Sequence, residues 1–154
     1  MAESAESILK KLGIELPPMA APAANYVPSV RTGNLLFVSG QVSISAAGKF
    51  VGKLGKTLTV EQGQQAARVC AINILSNLKA SLGSLDKVAR IVKLVGFVNC
   101  APEFDEPHKV VNGCSDLLTE VLGDRGKHAR SAVGMATLPL GAAVEVEVVV
   151  EIAP

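Results

Sequence analysis

The C-terminal strand constrains the fold more than any other segment, because its side chains alternate between two chemical kinds. Five aliphatic side chains occupy every second position: Val144, Val146, Val148, Val150 and Ile152. The positions between them carry three acids, Glu145, Glu147 and Glu151. Successive side chains of a β-strand point to opposite faces of the sheet. The pattern therefore predicts one apolar face under helices and a second face that meets water or a polar site between subunits.

Two long helices are predicted to cover the apolar face. The first follows a capping-box pair, Thr59 and Gln62, and runs to about Leu82. The second begins at Pro107 and ends at Gly123. In both segments the apolar side chains recur with the spacing of a single helical stripe, so each helix buries one side.

The remaining segments predict strands. Val27–Val30 and Asn34–Gln41 flank a glycine turn and describe a hairpin. Its second strand is apolar on both faces and is therefore expected to be deeply buried. Val88–Asn99 is the next strand, and Val92 is expected on the same buried face as Leu94. With the two C-terminal strands, the order is β, β, α, β, α, β, β. This order indicates an α+β fold in which one mixed sheet carries two long helices packed on one face.

A helical extension precedes these elements. Ser4–Leu12 fits a short amphipathic helix, and the prolines within Pro17–Pro22 predict an extended connector. We therefore divide the chain into an extension with its Pro-rich connector, residues 1–24, and a single domain, residues 25–154. A chain of 154 residues with 49% hydrophobic content can fill one core, and a second domain is not expected.

Composition narrows the classes of function. The net charge is +1 and aromatic residues make up 3%, so the chain lacks the basic field and the stacking platforms of nucleic-acid binding. Cys70, Cys100 and Cys114 have neither CxxC spacing nor paired histidines, and are expected as buried thiols in a reducing compartment. No signal peptide and no apolar run of transmembrane length is visible. These features predict a cytoplasmic protein without a membrane partner.

Familiar catalytic motifs are incomplete. Residues 55–57 resemble the end of a phosphate-binding loop, but Phe50 stands where that motif requires glycine. No GxGxxG follows a strand and no GxSxG elbow is present, so neither a dinucleotide fold nor a serine hydrolase is supported. His108 and His128 lack a second histidine at metal-ligand spacing, and both are expected on the surface. No metal site is predicted.

Arg130 is the one charged residue in the apolar stretch 129–140. A guanidinium keeps its charge and presents a flat fork of donors, so a partly buried one needs an anionic partner. That partner is either the carboxylate of a ligand or a structural glutamate, unless Arg130 lies at a strand end in water. Spacing alone leaves these alternatives open.

Several short pieces, spread from about Asn25 to Ile152, occur in the order and spacing of one known family. The most specific is Ala129–Val133, which is followed by the Leu138–Pro139 pair and the strand Val144–Glu147. The others are Tyr26, Ser39–Gln41 and Asn112. In these pieces the chain resembles the Rid family, also called the YjgF family, of reactive enamine and imine deaminases.

The resemblance implies a chorismate-mutase-like α+β fold and a trimeric assembly with sites between neighbouring subunits. It implies hydrolysis of imines such as 2-aminoacrylate to 2-oxo acids and ammonia, without a metal or organic cofactor. Arg130 would clamp the substrate carboxylate, and Glu145 would position water. The pocket would be lined by Tyr26, Ser39, Gly40, Asn112 and Ala132, the last of which stands where the best-known members often have cysteine.

Two alternatives accompany this interpretation. Glu147 shares a strand face with Glu145 and could be the functional carboxylate, or either acid could pair with Arg130 or Arg90. The chain could also be a non-catalytic trimeric binding or regulatory protein for small carboxylates, in which Arg130 keeps its role and Glu145 has none. Some relatives have been described as ribonucleases, a function that the charge and aromatic content of this chain do not favour.

Overall fold

A five-stranded mixed sheet forms the centre of the protein. In the computed structural model, which describes residues 3–19, 21 and 24–154, the strands lie in the order β1-β2-β7-β5-β6. Neighbouring strands are antiparallel except β5 and β6, which are parallel. The strands of this sheet are β1 (Ser29–Thr32), β2 (Leu35–Val42), β5 (Val88–Asn99), β6 (Ala129–Met135) and β7 (Val144–Ile152). A separate small hairpin consists of β3 (Ile44–Ser45) and β4 (Gly48–Lys49).

Three helices accompany the sheet: α1 (Ala5–Lys11), α2 (Val60–Leu82) and α3 (Pro107–Leu122). The capping box of Thr59 and Gln62 starts α2 with both of its hydrogen bonds formed, and Gly83 ends this helix with a positive φ of 83°. The predicted order of the main strands and long helices is confirmed. The β3–β4 hairpin is an addition, because the glycine and lysine residues from Gly48 onward predict a loop.

The core lies between the sheet and the two long helices. All five aliphatic side chains of the β7 alternation are at most 5% exposed, as their spacing predicts. Leu94 and Val98 of β5 lie beside them, and Ile74 and Leu78 of α2 pack from above; all four are fully buried. The mixed sheet with its helices over one apolar face is therefore confirmed.

The opposite face of the sheet stays open in the single chain. Leu36 and Val38 of β2 are each 4% exposed, but Phe37 between them is 45% exposed. The prediction that β2 is apolar and buried on both faces was therefore wrong, because the helices cover only one face.

The expected burial of Val92 was also wrong. Val92 is 37% exposed, whereas Ile91 is 1% exposed. The pairing of β5 with β7 shifts register between Val88 and Arg90 and again between Ile91 and Lys93. Such shifts reverse the face to which the following side chains point, so strict alternation fails along this part of β5.

Helix α1 packs on the same core as the domain. Its first turn is capped by the hydroxyl of Ser4, and Ala5 and Leu9 are buried. Residues 20 and 22 of the predicted connector lie outside the described residues. The division of the chain into residues 1–24 and 25–154 stays a prediction.

All three cysteines are buried free thiols, as predicted from their spacing. Within the described ranges, no helix combines the length and the apolar character that crossing a bilayer would take.

Helices α2 and α3 approach each other at a glycine. A Cβ atom on Gly113 of α3 would collide with the backbone of Gln64 in α2, whose carbonyl carbon would lie only 2.7 Å away. Gln64 also donates from Nε2 to the carbonyl of Lys109, at 3.0 Å. This close contact fixes the spacing between α2 and α3.

We expect Gly113→Ala to lower the free energy of unfolding by about 1–3 kcal/mol, because the added methyl overpacks a backbone contact. Helix propensity alone predicts the opposite sign, a gain of about 1 kcal/mol. Urea unfolding at fixed protein concentration measures the difference. Glu120→Ala, at an exposed position of the same helix, is the control and should be near neutral. A stabilised Gly113→Ala variant would contradict the close packing.

Candidate functional site

Arg130 lies on the edge strand β6, on the face that the helices cover. In the register of the sheet it pairs with Leu94 of β5, whose side chain is fully buried on that face. Nη1 of Arg130 donates to Oδ1 of Asn112 at 2.8 Å and to Oγ of Ser115 at 3.2 Å. Nη2 donates to the carbonyl oxygen of His108 at 3.1 Å. The structure therefore brings together Arg130 and Asn112, two of the predicted site residues.

The partners of Arg130 are all neutral. A guanidinium has five N–H donors, and the three recorded hydrogen bonds leave Nε–H and one hydrogen of Nη2. Across the described residues, no carboxylate lies within 4.0 Å of this guanidinium; Arg90, by contrast, pairs with Glu151 at 2.6 Å. The alternative of a structural glutamate for Arg130 is not what the structure shows. The protein orients this guanidinium through neutral acceptors and, in the described chain, pairs it with no carboxylate.

His128 lies behind Ser115. Its Nε2 is 2.9 Å from Oγ of Ser115, and its Nδ1 is 2.6 Å from the carbonyl oxygen of Gly126. Burial lowers the pKa of His128; the carbonyl of Gly126 opposes this shift, and the charge of Arg130 adds to it. The prediction that His128 is a surface residue was wrong, because its ring is partly buried between α3 and β6.

Sequence reasoning missed Ser115 as well. The position of Ser115 three residues after Asn112 would have been a clue, since residues three apart on a helix lie on neighbouring positions of one face. No spacing rule connects Ser115 with His128, because their contact depends on how α3 meets the strand that follows it.

A second group of predicted residues lies near the far edge of the sheet. Tyr26, Ser39 and Gly40 line a cavity of about 170 Å³, together with Asn73 of α2. The hydroxyl of Ser39 donates to the carbonyl of Val27 at 2.7 Å, which ties the chain before β1 to β2. Tyr26 is 55% exposed.

Glu145 lies against this second group. A Cβ atom on Gly40 would come within 3.0 Å of Cδ of Glu145, so the absence of a side chain at position 40 gives the carboxylate its room. Burial raises the pKa of Glu145, and the negative charge of Glu147 on the same strand face raises it further. Glu145 is thus the acid of the pair that is held in a partly desolvated position.

Arg130 and Glu145 point to opposite faces of the sheet. Glu145 pairs with Phe97 of β5, and Phe97 pairs with Val133 of β6. Arg130 precedes Val133 by three residues, an odd number, so its side chain leaves the other face. Two strand spacings, about 10 Å, also separate β7 from β6. Within one chain, a small ligand cannot contact both side chains.

The predicted site residues therefore fall into two sets. Ala132 pairs with Gly96 and lies two residues beyond Arg130 on the same face, so it belongs with Arg130 and Asn112. The other set consists of Tyr26, Ser39, Gly40 and Glu145. In the part of the chain that the structure describes, no group of three or more His, Cys, Asp or Glu side chains is arranged to hold a metal ion.

Comparisons with known proteins agree with this architecture. The model of the family described as "YjgF/chorismate mutase-like, putative endoribonuclease" matches residues 6–152. Protein TCP17 of Trypanosoma cruzi is 53% identical over 146 residues, which cover 94% of this chain and 91% of that protein.

Two solved structures are similar over nearly their whole length. The crystal structure of Atu1372 from Agrobacterium tumefaciens, a protein of unknown function, is 50% identical, with a TM-score of 0.89 over 96% of this chain and 92% of that one. A structure from Shewanella oneidensis, described as a putative endoribonuclease, is 34% identical, with a TM-score of 0.92 over 97% and 99% of the two chains.

The raised pKa of Glu145 predicts a pH-dependent effect of Glu145→Gln on stability. Folding lifts this pKa above 4.5, so the folded chain keeps a proton that the unfolded chain releases once the pH exceeds that value. At pH values above both the unfolded and the folded pKa, ionised Glu145 therefore lowers the free energy of unfolding. We expect Glu145→Gln to be more stable than the native protein near pH 7.5, and the difference to vanish on acidification below the unfolded pKa.

Urea unfolding at several pH values, at fixed protein concentration, measures this difference. Glu151→Gln is the matched control on the same face of β7. Because Glu151 is paired with Arg90, its substitution should not stabilise the protein at neutral pH. Equal stability of native protein and Glu145→Gln at all pH values would contradict the desolvation of Glu145.

Proposed function

The chain belongs to the YjgF/chorismate-mutase-like family, and on this premise we propose that it hydrolyses reactive enamines and imines to 2-oxo acids and ammonia. The substrate class is a small 2-imino acid such as the imine form of 2-aminoacrylate. Water adds to the imine carbon, the carbon–nitrogen bond breaks, and the nitrogen leaves as ammonia while the oxygen stays as the 2-oxo group.

The observation that carries this proposal is the guanidinium of Arg130 held by neutral acceptors alone. Hydrogen bonds to Asn112, Ser115 and the carbonyl of His108 fix its orientation without neutralising its charge. The hydrogens on Nε and Nη2 suit the two oxygens of a carboxylate, which bind a guanidinium in parallel. Bound in this way, a 2-imino acid would present its electrophilic carbon in one orientation.

Glu145 supplies the second element of the proposed reaction. A carboxylate that takes up a proton from water and returns it to the leaving nitrogen works best when its pKa is above the usual range of an acid. Burial and the charge of Glu147 raise the pKa of Glu145 in this direction. Glu147 itself is exposed, so we assign the catalytic role to Glu145 and not to Glu147.

We further propose that the site is completed by a second copy of the chain in a homotrimer. Arg130 and Glu145 lie on opposite faces of one sheet, so one copy would contribute the arginine set and its neighbour the glutamate set. The open face supports such an assembly, since Val30, Phe37 and Val133 are between 41% and 55% exposed. Apolar side chains of this kind on an unpaired sheet face favour association.

Cleavage of RNA, which the family description includes, receives less support in this chain. The net charge is +1, and Tyr26 is the one tyrosine in a sequence without tryptophan. Phosphate backbones bind to fields of many cations, and bases bind to aromatic platforms. A single positioned guanidinium suits a small carboxylate better than a polyanion.

Two substitutions test the assignment of roles. With freshly generated 2-aminoacrylate, we expect Arg130→Ala to lower kcat/KM by about 100-fold or more, and to abolish pyruvate binding, because the bidentate partner is lost. We expect Glu145→Gln to lower kcat by about 100- to 1,000-fold with pyruvate binding retained. Ammonia release measures turnover, and calorimetry measures pyruvate binding. Native protein that releases ammonia no faster than buffer, yet binds pyruvate, would identify a non-catalytic binding protein instead.

Mixed assemblies test whether the site is shared between copies. Arg130→Ala and Glu145→Gln chains, unfolded together in equal amounts and refolded, should recover about one quarter of native activity. Three quarters of random trimers are mixed, and each mixed trimer holds one intact pair among its three sites. Each variant refolded alone is the control and should stay inactive. A mixture as inactive as its components would show that a shared site is wrong.

A further inference from the structure

We infer that Ser115 and His128 form a positioning pair that sets the orientation of the Arg130 guanidinium and makes its grip on a carboxylate depend on the protonation state of His128. This inference rests on the proposed role of Arg130 and extends it to two residues outside the proposed pocket. It concerns ligand binding and assigns neither residue a chemical step.

The direction of each hydrogen bond in this group follows from the chemistry of its members. Arg130 can only donate, so Oγ of Ser115 accepts from Nη1. The carbonyl of Gly126 can only accept, so Nδ1 of His128 carries a hydrogen. In neutral histidine Nε2 is then an acceptor, and the hydroxyl of Ser115 donates its one hydrogen to it. The hydrogen bonds run in one direction, from Arg130 through Ser115 and His128 to Gly126.

Protonation of His128 breaks this directional order. Nε2 then becomes a donor, and Oγ of Ser115 would have to accept hydrogen bonds from two cations, the imidazolium and the guanidinium. The hydroxyl hydrogen of Ser115 loses its acceptor at the same time. The repulsion between the two cations and the loss of one hydrogen bond both act against the observed position of Nη1.

The surroundings of His128 involve β6, α3 and the turn before β6. Arg130 of β6 is the charged group that shifts its pKa, and α3 presents the uncharged Ser115. In the turn before β6, Asp124 and Lys127 pair with each other at 2.7 Å. Arg125 in the same turn donates to the carbonyl of Val88 at 2.9 Å. No acid in the described chain forms an ion pair with His128, so no opposite charge offsets the repulsion from Arg130.

Two opposing effects of a protonated His128 on ligand binding can be compared. Its added positive charge attracts an anion, but water and dissolved ions screen this attraction because His128 is only partly buried. Misplacement of the guanidinium weakens two charge-assisted hydrogen bonds to the ligand directly. We expect the second effect to dominate, so acidification through the pKa of His128 weakens carboxylate binding.

The test measures pyruvate affinity, and KM and kcat with 2-aminoacrylate, at pH values between about 4.5 and 8, since the pKa of His128 lies below its ordinary value. In the native protein, the Kd of pyruvate and KM should rise together on the acidic side. His128→Gln should keep affinity near the native neutral value at all pH values, because its Oε1 can still accept from Ser115 and does not titrate. Ser115→Ala should raise Kd and KM by about 5- to 10-fold at neutral pH with a smaller change in kcat.

Matched controls separate positioning from general damage. Ser81→Ala removes a hydroxyl from the other long helix and should leave affinity unchanged. His108→Gln removes the other histidine of the chain and should retain the acid-side weakening, since only the carbonyl of His108 contacts Arg130. Far-ultraviolet circular dichroism and thermal unfolding confirm that each variant is folded.

A measurement without ligand keeps this inference apart from the proposed function. In nitrogen-15 NMR spectra of the free protein, the side-chain N–H signals of Arg130 should be sharp and slowly exchanging at neutral pH in native protein and His128→Gln. They should broaden on acidification in native protein only, and at all pH values in Ser115→Ala. Unchanged Arg130 signals in Ser115→Ala, or the same acid broadening in His128→Gln, would overturn the inference. If the predicted NMR changes occur but the native protein shows neither turnover nor pyruvate binding, only the proposed function is overturned.

Discussion

The register of β7 between β2 and β5 is the constraint on which the rest of the structure depends. The aliphatic residues of β7 are buried beneath the helices, so Glu145, which alternates with them, lies on the open face of the sheet. The same register, carried across β5 to β6, places Arg130 beside Leu94 and under α3. A slip of one residue of β7 against its neighbours would move Glu145 to the helix-covered face, and a slip of β6 against β5 would move Arg130 to the open face. The location of both charged groups is thus a consequence of how the strands align.

Arg130 and Glu145 lie in opposite kinds of electrostatic environment. Arg130 is oriented by neutral acceptors, so the protein directs its positive charge without cancelling it. Glu145 lies beside another acid and is partly desolvated, so its pKa rises and its proton is retained to higher pH. An arginine with an unsatisfied charge binds an anion, whereas an acid with a raised pKa exchanges protons. The environment of each residue therefore agrees with the role proposed for it.

Local patterns in the sequence predicted the elements of the fold well. The capping box before α2 and the aliphatic spacing on β7 follow from short-range rules and agree with the structure. Asn112 was singled out through the family resemblance, and the structure places it against Arg130. The exposure of Val92 could not be predicted from short-range rules, because it depends on register shifts between two strands that are distant in sequence. The contact between Ser115 and His128 also escaped prediction, since it depends on the height of α3 above β6. The lateral position of α3 is limited by its backbone contact with α2 at Gly113, which no periodicity reveals.

Gly40 connects the geometry of the sheet with the chemistry proposed for Glu145. A carboxylate whose pKa is raised by burial must lose part of its water without entering the core, where its charge would cost far more. The bare backbone at Gly40 provides such a position, because Glu145 can lie against it on the open face of the sheet. A Cβ atom at position 40 would overlap the Glu145 side chain where it lies, so any larger residue would require that side chain to move. Glycine at this position therefore leaves room for the carboxylate, whose pKa is raised by burial and by the charge of Glu147.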